Sequence, residues 1–231
     1  GYTSPSDKLN IAGVGVRKWG MGSGNLSSCE TDNIVALCDV DHKLSAETFN
    51  KYPKAKVYKD FRVMLETQKD IDAVIVATPD HTHAIISMMS IKLGKHVFCQ
   101  KPLTHTVYEA RVITETARKY KVQTQMGNQG RSSEEIRRLK EWIDDGAIGP
   151  VRKVYAWTDR PVGGNAWDTF DAKAKPKEKP PIPKDLDWDL WLGPAKYRDY
   201  HPYYHPNSWR AWIDFGTGSM GDMGCHIIDP S

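Results

Sequence analysis

The chain has 231 residues, of which 39% are hydrophobic and 26% charged, with a formal net charge of +3. This is enough for one large domain or two small ones with a real core, in the composition of an ordinary globular protein. So slight a charge gives no ground for a nucleic-acid partner; no apolar run could span a bilayer, and the opening GYTSPSDK lacks a signal-peptide pattern.

In chain order, residues 8–16 (KLNIAGVGV) predict an apolar strand running into glycines, and 33–41 (NIVALCDVD) a second strand. A helix is expected over 42–52 and another over 61–68. Residues 71–80 (IDAVIVATPD) give a third strand with little polar interruption. Helix 83–94, strand 95–100 (KHVFCQ), helix 106–120 and strand 121–126 (KVQTQM) follow. Continuous apolar strands alternating with amphipathic helices are the mark of a parallel sheet covered on both faces. The cysteines Cys38 and Cys99 fall in these strands and read as small buried hydrophobes; with Cys29 and Cys225 they show no zinc-type spacing.

Beyond residue 128 the rhythm changes. Residues 132–146 predict a helix with Ser132 or Ser133 as its cap and Gly146 as its stop, and 149–159 (GPVRKVYAWTD) predict a strand. Lysine alternating with proline in 171–184 reads as a solvated connector rather than a basic patch. One strand cannot make a sheet, so the second domain, 129–231, is expected to be incomplete at Ser231. The first domain is 1–128.

Gly13 and Gly15 stand where the first strand turns, which permits a tight turn and lets backbone N–H groups approach a pyrophosphate. The third position of the usual glycine fingerprint is Lys18, and Gly20, Gly22 and Gly24 follow, which suggests a longer turn. Asp39 closes the second strand, where a carboxylate accepts hydrogen bonds from ribose hydroxyls and repels a 2′-phosphate; NAD is therefore expected over NADP, with Asp41 as the fallback residue. Asp39 capping the helix near 42 is the competing reading. Ligands of open parallel sheets bind beyond the strands' carboxyl ends. There lie Thr78-Pro79-Asp80, Gln100-Lys101-Pro102 and Gly127-Asn128-Gln129, of which Thr78, Pro79, Gln100, Lys101 and Asn128 are cofactor candidates. His81 and His83 lack the carboxylates or cysteines that would complete a metal site, so no metal is expected. One of them, His83 by preference, is expected to line the nicotinamide pocket.

The C-terminal GSMGDMGCHIID places Asp222 and His226 four apart, on one face of a helix. Gly221 and Gly224 beside Asp222 each cost a helix about 1 kcal/mol relative to alanine, so a close approach is expected there. Oxidising an alcohol needs a proton acceptor, for which histidine is suited, and a cation to stabilise developing alkoxide charge. His226 and Lys101 supply these, and Asp222 can orient the histidine or bind a neighbouring hydroxyl. Arg210 and Trp209 are candidate substrate contacts in a segment whose other aromatics, Tyr203, Tyr204 and Trp212, read chiefly as core.

LNIAGVGV, NIVALCDVD, DAVIVATPDHTHA, GKHVFCQKPL, QMGNQGR, DGAIGPVRKV and GDMGCHIIDP together resemble the glucose-fructose oxidoreductase / inositol dehydrogenase / MocA family. The resemblance implies an N-terminal Rossmann domain and a C-terminal α/β domain whose open, mostly antiparallel sheet mediates homo-oligomers. It also implies catalytic roles for Lys101, Asp222 and His226, with a sugar or polyol as substrate and NAD as cofactor. Gln100 departs from the family's glutamate. The cytoplasm is the default compartment, with export of the folded protein to the periplasm as the alternative. Two other activities fit the same residues: a glycosidase that oxidises a ring hydroxyl transiently, and a non-catalytic nucleotide or sugar sensor.

Overall fold

The computed structural model describes residues 7–158 and 176–228. Six parallel strands, β1 (Asn10–Val14), β2 (Asn33–Cys38), β3 (Lys56–Tyr58), β4 (Ala73–Val76), β5 (His96–Gln100) and β6 (Thr124–Gly127), form one sheet in the order β3-β2-β1-β4-β5-β6. Side chains alternate across it. Ala12, Val14, Val74, Val76, Val97 and Cys99 enter the core on one face; Ile11, Ile75, Leu37 and Phe98 pack into the core on the other. Both faces are buried, which is why the strands read as unbroken apolar runs. Burial pushes the Cys38 thiol well above its usual pKa. None of the four cysteines is in a disulfide.

Helices α1 (Met21–Ser27), α2 (His42–Lys51), α3 (Phe61–Thr67), α4 (Asp80–Lys92) and α5 (Val107–Tyr120) connect the strands. Two elements differ from expectation. β3 is a three-residue edge strand whose Lys56 and Val57 are exposed, so it carries almost no apolar signal. α1 forms where a longer glycine turn was expected. The α2 cap is Asp41, whose Oδ1 accepts from Leu44 N–H at 3.0 Å, and α5 begins on a Thr106–Glu109 capping box.

In the second half, α6 (Glu134–Asp144) is capped by Ser133, as expected. The strand expected over 149–159 is not formed: residues 151–158 make no ladder, and Val154, Tyr155 and Trp157 are exposed. An alternating run becomes a strand only when a neighbour takes its backbone groups, and no neighbour lies among the described residues. From 176 onward the lysine-proline connector forms no helix or strand and is largely exposed; its first residues lie outside the described ones. After it come α7 (Trp188–Leu192), a 3₁₀ turn (Ser208–Ala211) and α8 (Gly218–Ile227). Among the described residues this half contributes no sheet, and its antiparallel pairing is the bridge Asp41–Leu186.

Of the aromatics expected to be core, Tyr204 and Trp212 are buried, whereas Tyr203 is exposed. Trp188, Trp191, Tyr204, Trp209, Trp212 and Phe215 form one buried cluster. Arg198 sits inside it, 5.1 Å from the Tyr204 ring and 5.4 Å from that of Phe215, and pairs with Asp214. No helix among the described residues is long and apolar enough to cross a membrane.

Candidate active site

A cleft of about 1140 Å³, counting the open space at its mouth, runs along the carboxyl ends of the strands. Its walls come from the segments after β3 (Lys59), β2 (Asp39), β1 (Gly15, Arg17), β4 (Thr78, Pro79, Asp80) and β5 (Gln100, Lys101). These strands are neighbours in the sheet, so at about 4.8 Å per step the cleft spans roughly 19 Å and suits an elongated ligand. It crosses the point between β1 and β4 where the strand order reverses, the usual ligand position in such sheets. The second half supplies the opposite wall, through Trp191, His205, Trp209 and Arg210.

Gly15 is the one glycine of the turn that needs its freedom twice over: its φ is +79°, and a Cβ there would lie 2.7 Å from the Ala77 carbonyl oxygen. Gly13 lies inside β1, where a Cβ would meet Val16 and Leu26 at 2.8 and 3.0 Å. The close packing of helix on strand falls to Gly22, because a Cβ on it would be 2.0 Å from the Gly15 carbonyl oxygen. Lys18 is drawn away instead, with its ammonium on Glu47.

Asp39 lines the cleft, and its two oxygens accept from Val16 N–H at 2.8 Å and Asp41 N–H at 3.0 Å. Burial raises its pKa, and these N–H groups oppose the rise. Asp41, besides capping α2, binds His205 Nε2 at 3.0 Å, so both candidate duties of the β2–α2 turn are divided between two carboxylates. Gln100 is buried and bonded at both ends of its amide: the nitrogen donates to Asn25 Oδ1 at 2.7 Å, and the carbonyl accepts from Gln129 at 3.1 Å.

Lys101 leaves the end of β5 and reaches α8. Its ammonium donates to Asp222 Oδ1 at 2.5 Å and to the Asp222 carbonyl at 2.7 Å. Arg210 Nε approaches the same carboxylate oxygen at 3.4 Å. His226, one turn along α8, donates from Nδ1 to the Gln129 carbonyl at 3.1 Å. A carbonyl can only accept, so Nε2 is the basic nitrogen of the neutral ring. Asp222 and His226 are not among the residues that line the cleft.

Three cofactor candidates lie outside the cleft wall, the first being Gly13, which is inside β1. Asn128 holds α8 in place, donating to the Cys225 carbonyl at 2.6 Å. His83 is buried beneath the floor, with one ring nitrogen 2.8 Å from the Thr78 carbonyl and the other 2.8 Å from that of Pro102. Two carbonyl partners favour the ring with both nitrogens protonated. Burial opposes the charge, but Cys99, Asp80 and the Pro102 carbonyl outweigh it and raise the pKa to about 9. His81 takes the opposite course. Burial lowers its pKa to about 4, outweighing the Phe215 and Trp191 carbonyls, which face its two ring nitrogens and favour the charged form.

Sequence reading passed over Arg17 and Asp80 as functional candidates. Asp80 is buried at the cleft and accepts from Thr217 N–H at 3.2 Å and Thr217 Oγ1 at 2.8 Å, which ties the start of α4 to the start of α8. Burial raises its pKa. Its signal was its place directly after Thr78-Pro79, at a strand's carboxyl end. This contact also answers for Gly221: a Cβ there would sit 1.8 Å from Thr217 Oγ1. The glycine beside Asp222 therefore makes room for the side chain that grips Asp80.

Residues 9–128 match the model of an oxidoreductase family with an NAD-binding Rossmann fold, that of glucose-fructose oxidoreductase, inositol dehydrogenase and MocA. The chain belongs to this family. Residues 132–231 match the family's C-terminal alpha/beta domain. Inositol 2-dehydrogenase of Salmonella paratyphi B is 30% identical over 209 residues, covering 85% of this chain and 57% of that protein. Levoglucosan dehydrogenase of Pseudarthrobacter phenanthrenivorans is 26% identical over 84% of this chain and 40% of its own length. An inositol dehydrogenase homologue from Azotobacter vinelandii, solved with NADH and myo-inositol, aligns with a TM-score of 0.56 at 28% identity, over 63% of this chain and 41% of that one. The chain thus spans about half the length of the curated relatives it matches. The family's cofactor fits the cleft described above: Gly15 and Gly22 keep the first turn open to a close backbone approach, and Asp39 faces the cleft from the end of β2.

Proposed function

We propose that the protein is a dehydrogenase that moves hydride between NAD and a CH–OH carbon of a sugar or polyol. The observation that carries this reading is the Lys101–Asp222 contact, at 2.5 Å, which joins the two halves of the chain at a lysine that lines the cleft. NAD, when bound, supplies the hydride acceptor. An ammonium has three donors and Lys101 uses two of them on Asp222, so the third is available to a substrate oxygen. There it stabilises negative charge as the hydroxyl proton leaves. His226, whose tautomer is set by Gln129 and which lies outside the lining of the cleft, accepts that proton through Nε2 from a substrate that reaches past Lys101 to α8. Asp222 anchors Lys101 and orients it. Asp39 serves the adenosine ribose, and its carboxylate disfavours a 2′-phosphate, so NAD is preferred to NADP. Thr78 and Pro79 line the middle of the dinucleotide path, and Trp191 and Trp209 exclude water from it.

The relatives named as inositol 2-dehydrogenase and levoglucosan dehydrogenase support a polyol or sugar as the substrate class. The test is incubation of the full chain with NAD and a panel of inositols, hexoses and aryl glycosides. Net formation of reduced nicotinamide with an inositol or hexose is the expected result. Glycoside cleavage with no net reduction would replace the dehydrogenase with a hydrolase that recycles its cofactor.

A further inference from the structure

On the face of the sheet covered by α4 and α5, a second cavity opens beside β6, with a volume of about 1050 Å³ counting the open space at its mouth. No residue lines both this cavity and the cleft. Its lining is largely apolar: Ile91 of α4, Val97 and Cys99 of β5 and Ile113 of α5 are all buried there. Into this lining α4 sets one polar side chain, Ser87. The residue is 1% exposed, and its Oγ has no hydrogen-bond partner among the described residues. Ser90, three residues on, shows the usual alternative, since its hydroxyl donates to the Ile86 carbonyl one turn back at 2.9 Å. A buried hydroxyl left unpaired is costly, so Ser87 is suited to a partner that enters the cavity. The fixed charges of the lining are both positive. They are Arg118, in the last turn of α5, and Lys121, its C-cap; both are exposed, and no aspartate or glutamate lines the cavity.

We propose that this cavity is a second ligand site, for an amphipathic organic acid with a hydroxyl at the end remote from its acid group. The hydroxyl pairs with Ser87 Oγ, the apolar body lies on Ile91, Val97 and Ile113, and the anionic head is held at the rim by Arg118 and Lys121, whose guanidinium fork and ammonium both match a carboxylate. A sugar or polyol does not suit the cavity, because a hydroxyl on nearly every carbon would be left unpaired against these side chains. The site is therefore chemically distinct from the cleft. It is also physically separate, although the two share elements: Cys99 lines the cavity while the next two residues, Gln100 and Lys101, line the cleft, and Ser87 follows Ile86 of the cleft wall. Shared elements without shared residues let both sites be filled at once.

The test is a ligand-observed NMR titration of the full chain with 4-hydroxybenzoate, benzoate, 8-hydroxyoctanoate and octanoate. Wild type is compared with Ser87→Ala and with the double variant Arg118→Gln, Lys121→Gln; neither adds bulk, and circular dichroism and melting temperature check folding. At least one hydroxylated acid is expected to bind with a Kd of about 10 µM to 1 mM, and the aromatic and aliphatic arms decide which body the cavity takes. Ser87→Ala should weaken that acid about 3- to 10-fold and leave its unhydroxylated counterpart within about twofold. The double variant should weaken both about 3- to 20-fold, and added salt should weaken both in wild type. Saturating NADH should change these affinities by no more than about twofold, because no residue serves both sites. Should the double variant fail to fold, Ser87→Ala and the salt dependence carry the same comparison. No binding of any of the four acids up to about 5 mM overturns the site. So does displacement by NADH, which places the acid in the cleft, and so does an equal response of hydroxylated and plain acids to Ser87→Ala. Affinity unchanged in the folded double variant overturns the choice of an acid.

Discussion

Gly22 and Gly24 lie two residues apart on α1, and the same change to alanine should act in opposite directions at the two. At Gly22 the new Cβ would stand 2.0 Å from the Gly15 carbonyl oxygen, whereas at Gly24 nothing lies within 4 Å. A carbon and a carbonyl oxygen approach comfortably to about 3.3 Å, so α1 must move by more than about 1 Å or the turn after β1 must yield. Overpacking of this kind costs about 1–3 kcal/mol, and the better helix propensity of alanine returns about 0.5–1 kcal/mol of that. Gly22→Ala should therefore lose about 1 kcal/mol and at most about 2.5 kcal/mol, which is about 2–4 °C and at most about 10 °C of melting temperature in a chain of this size. Gly24→Ala keeps the propensity gain alone and should melt about 1–4 °C higher than wild type. The displaced turn carries Gly15, so Gly22→Ala should also weaken NADH binding, and Gly24→Ala should not. Thermal melts and NADH titration of both variants decide the matter. If Gly22→Ala melted at or above wild type with its NADH affinity intact, the packing of α1 on the first turn would be other than described.

Three further predictions concern charge. Lys101→Met should lower kcat by about 10²–10³, the size of loss seen when one donor to a developing oxyanion is removed, and leave ADP-ribose affinity within about twofold; steady-state kinetics and calorimetry separate the two. Asp39→Ala removes the proposed ribose acceptor and the charge that repels a 2′-phosphate, so the ratio of kcat/KM for NAD over NADP should fall by at least about tenfold. His81 has a folded pKa of about 4, below the ordinary value of 6.5, so the unfolded chain binds the extra proton between these values and stability must drain away as pH falls from 6.5 toward 4. At about 1.36 kcal/mol per pKa unit the full loss is on the order of 3 kcal/mol, and urea melts from pH 7 to pH 4.5 should show a flatter slope in His81→Gln than in wild type.

The sheet was legible wherever a strand is buried on both faces. β1, β2, β4 and β5 are such strands, and their apolar runs announce them; β6 has exposed residues but was still marked by its place after a well-capped helix. β3 was not legible, because an edge strand of three residues with two exposed side chains has no pattern to offer. α1 was hidden by its glycines, which spoil helix propensity for the sake of packing: Gly22 is there for the Gly15 carbonyl. In the site, Lys101, Asp39 and Thr78 could be found from position alone, since strand ends face the cleft. Arg17 and Arg210 could not be paired from sequence, because the contact that joins them is made through Asn207 in the other half of the chain. Asn128 and His83 look the same in sequence as residues facing the cleft, and only their carbonyl partners reveal that they hold the surrounding segments together.

α8 draws these points together. It contains Gly218, Gly221 and Gly224, and even two interior glycines cost about 2 kcal/mol in a helix of ten residues, too much for such a segment to persist by itself in water. What holds it is a set of polar contacts from successive strand ends: Asp80 to Thr217 after β4, Lys101 to Asp222 after β5, and Asn128 and Gln129 to Cys225 and His226 after β6. The first of these depends on Gly221, which clears the space that the Thr217 side chain occupies. The helix is therefore formed by the surface it docks on, and Asp222 and His226 reach their places only when the parallel sheet is complete beneath them. Weak helix propensity at this position ties presentation of the candidate acid–base pair to the integrity of the cofactor fold, and a stronger helix with alanine at 221 would sever that tie at Thr217.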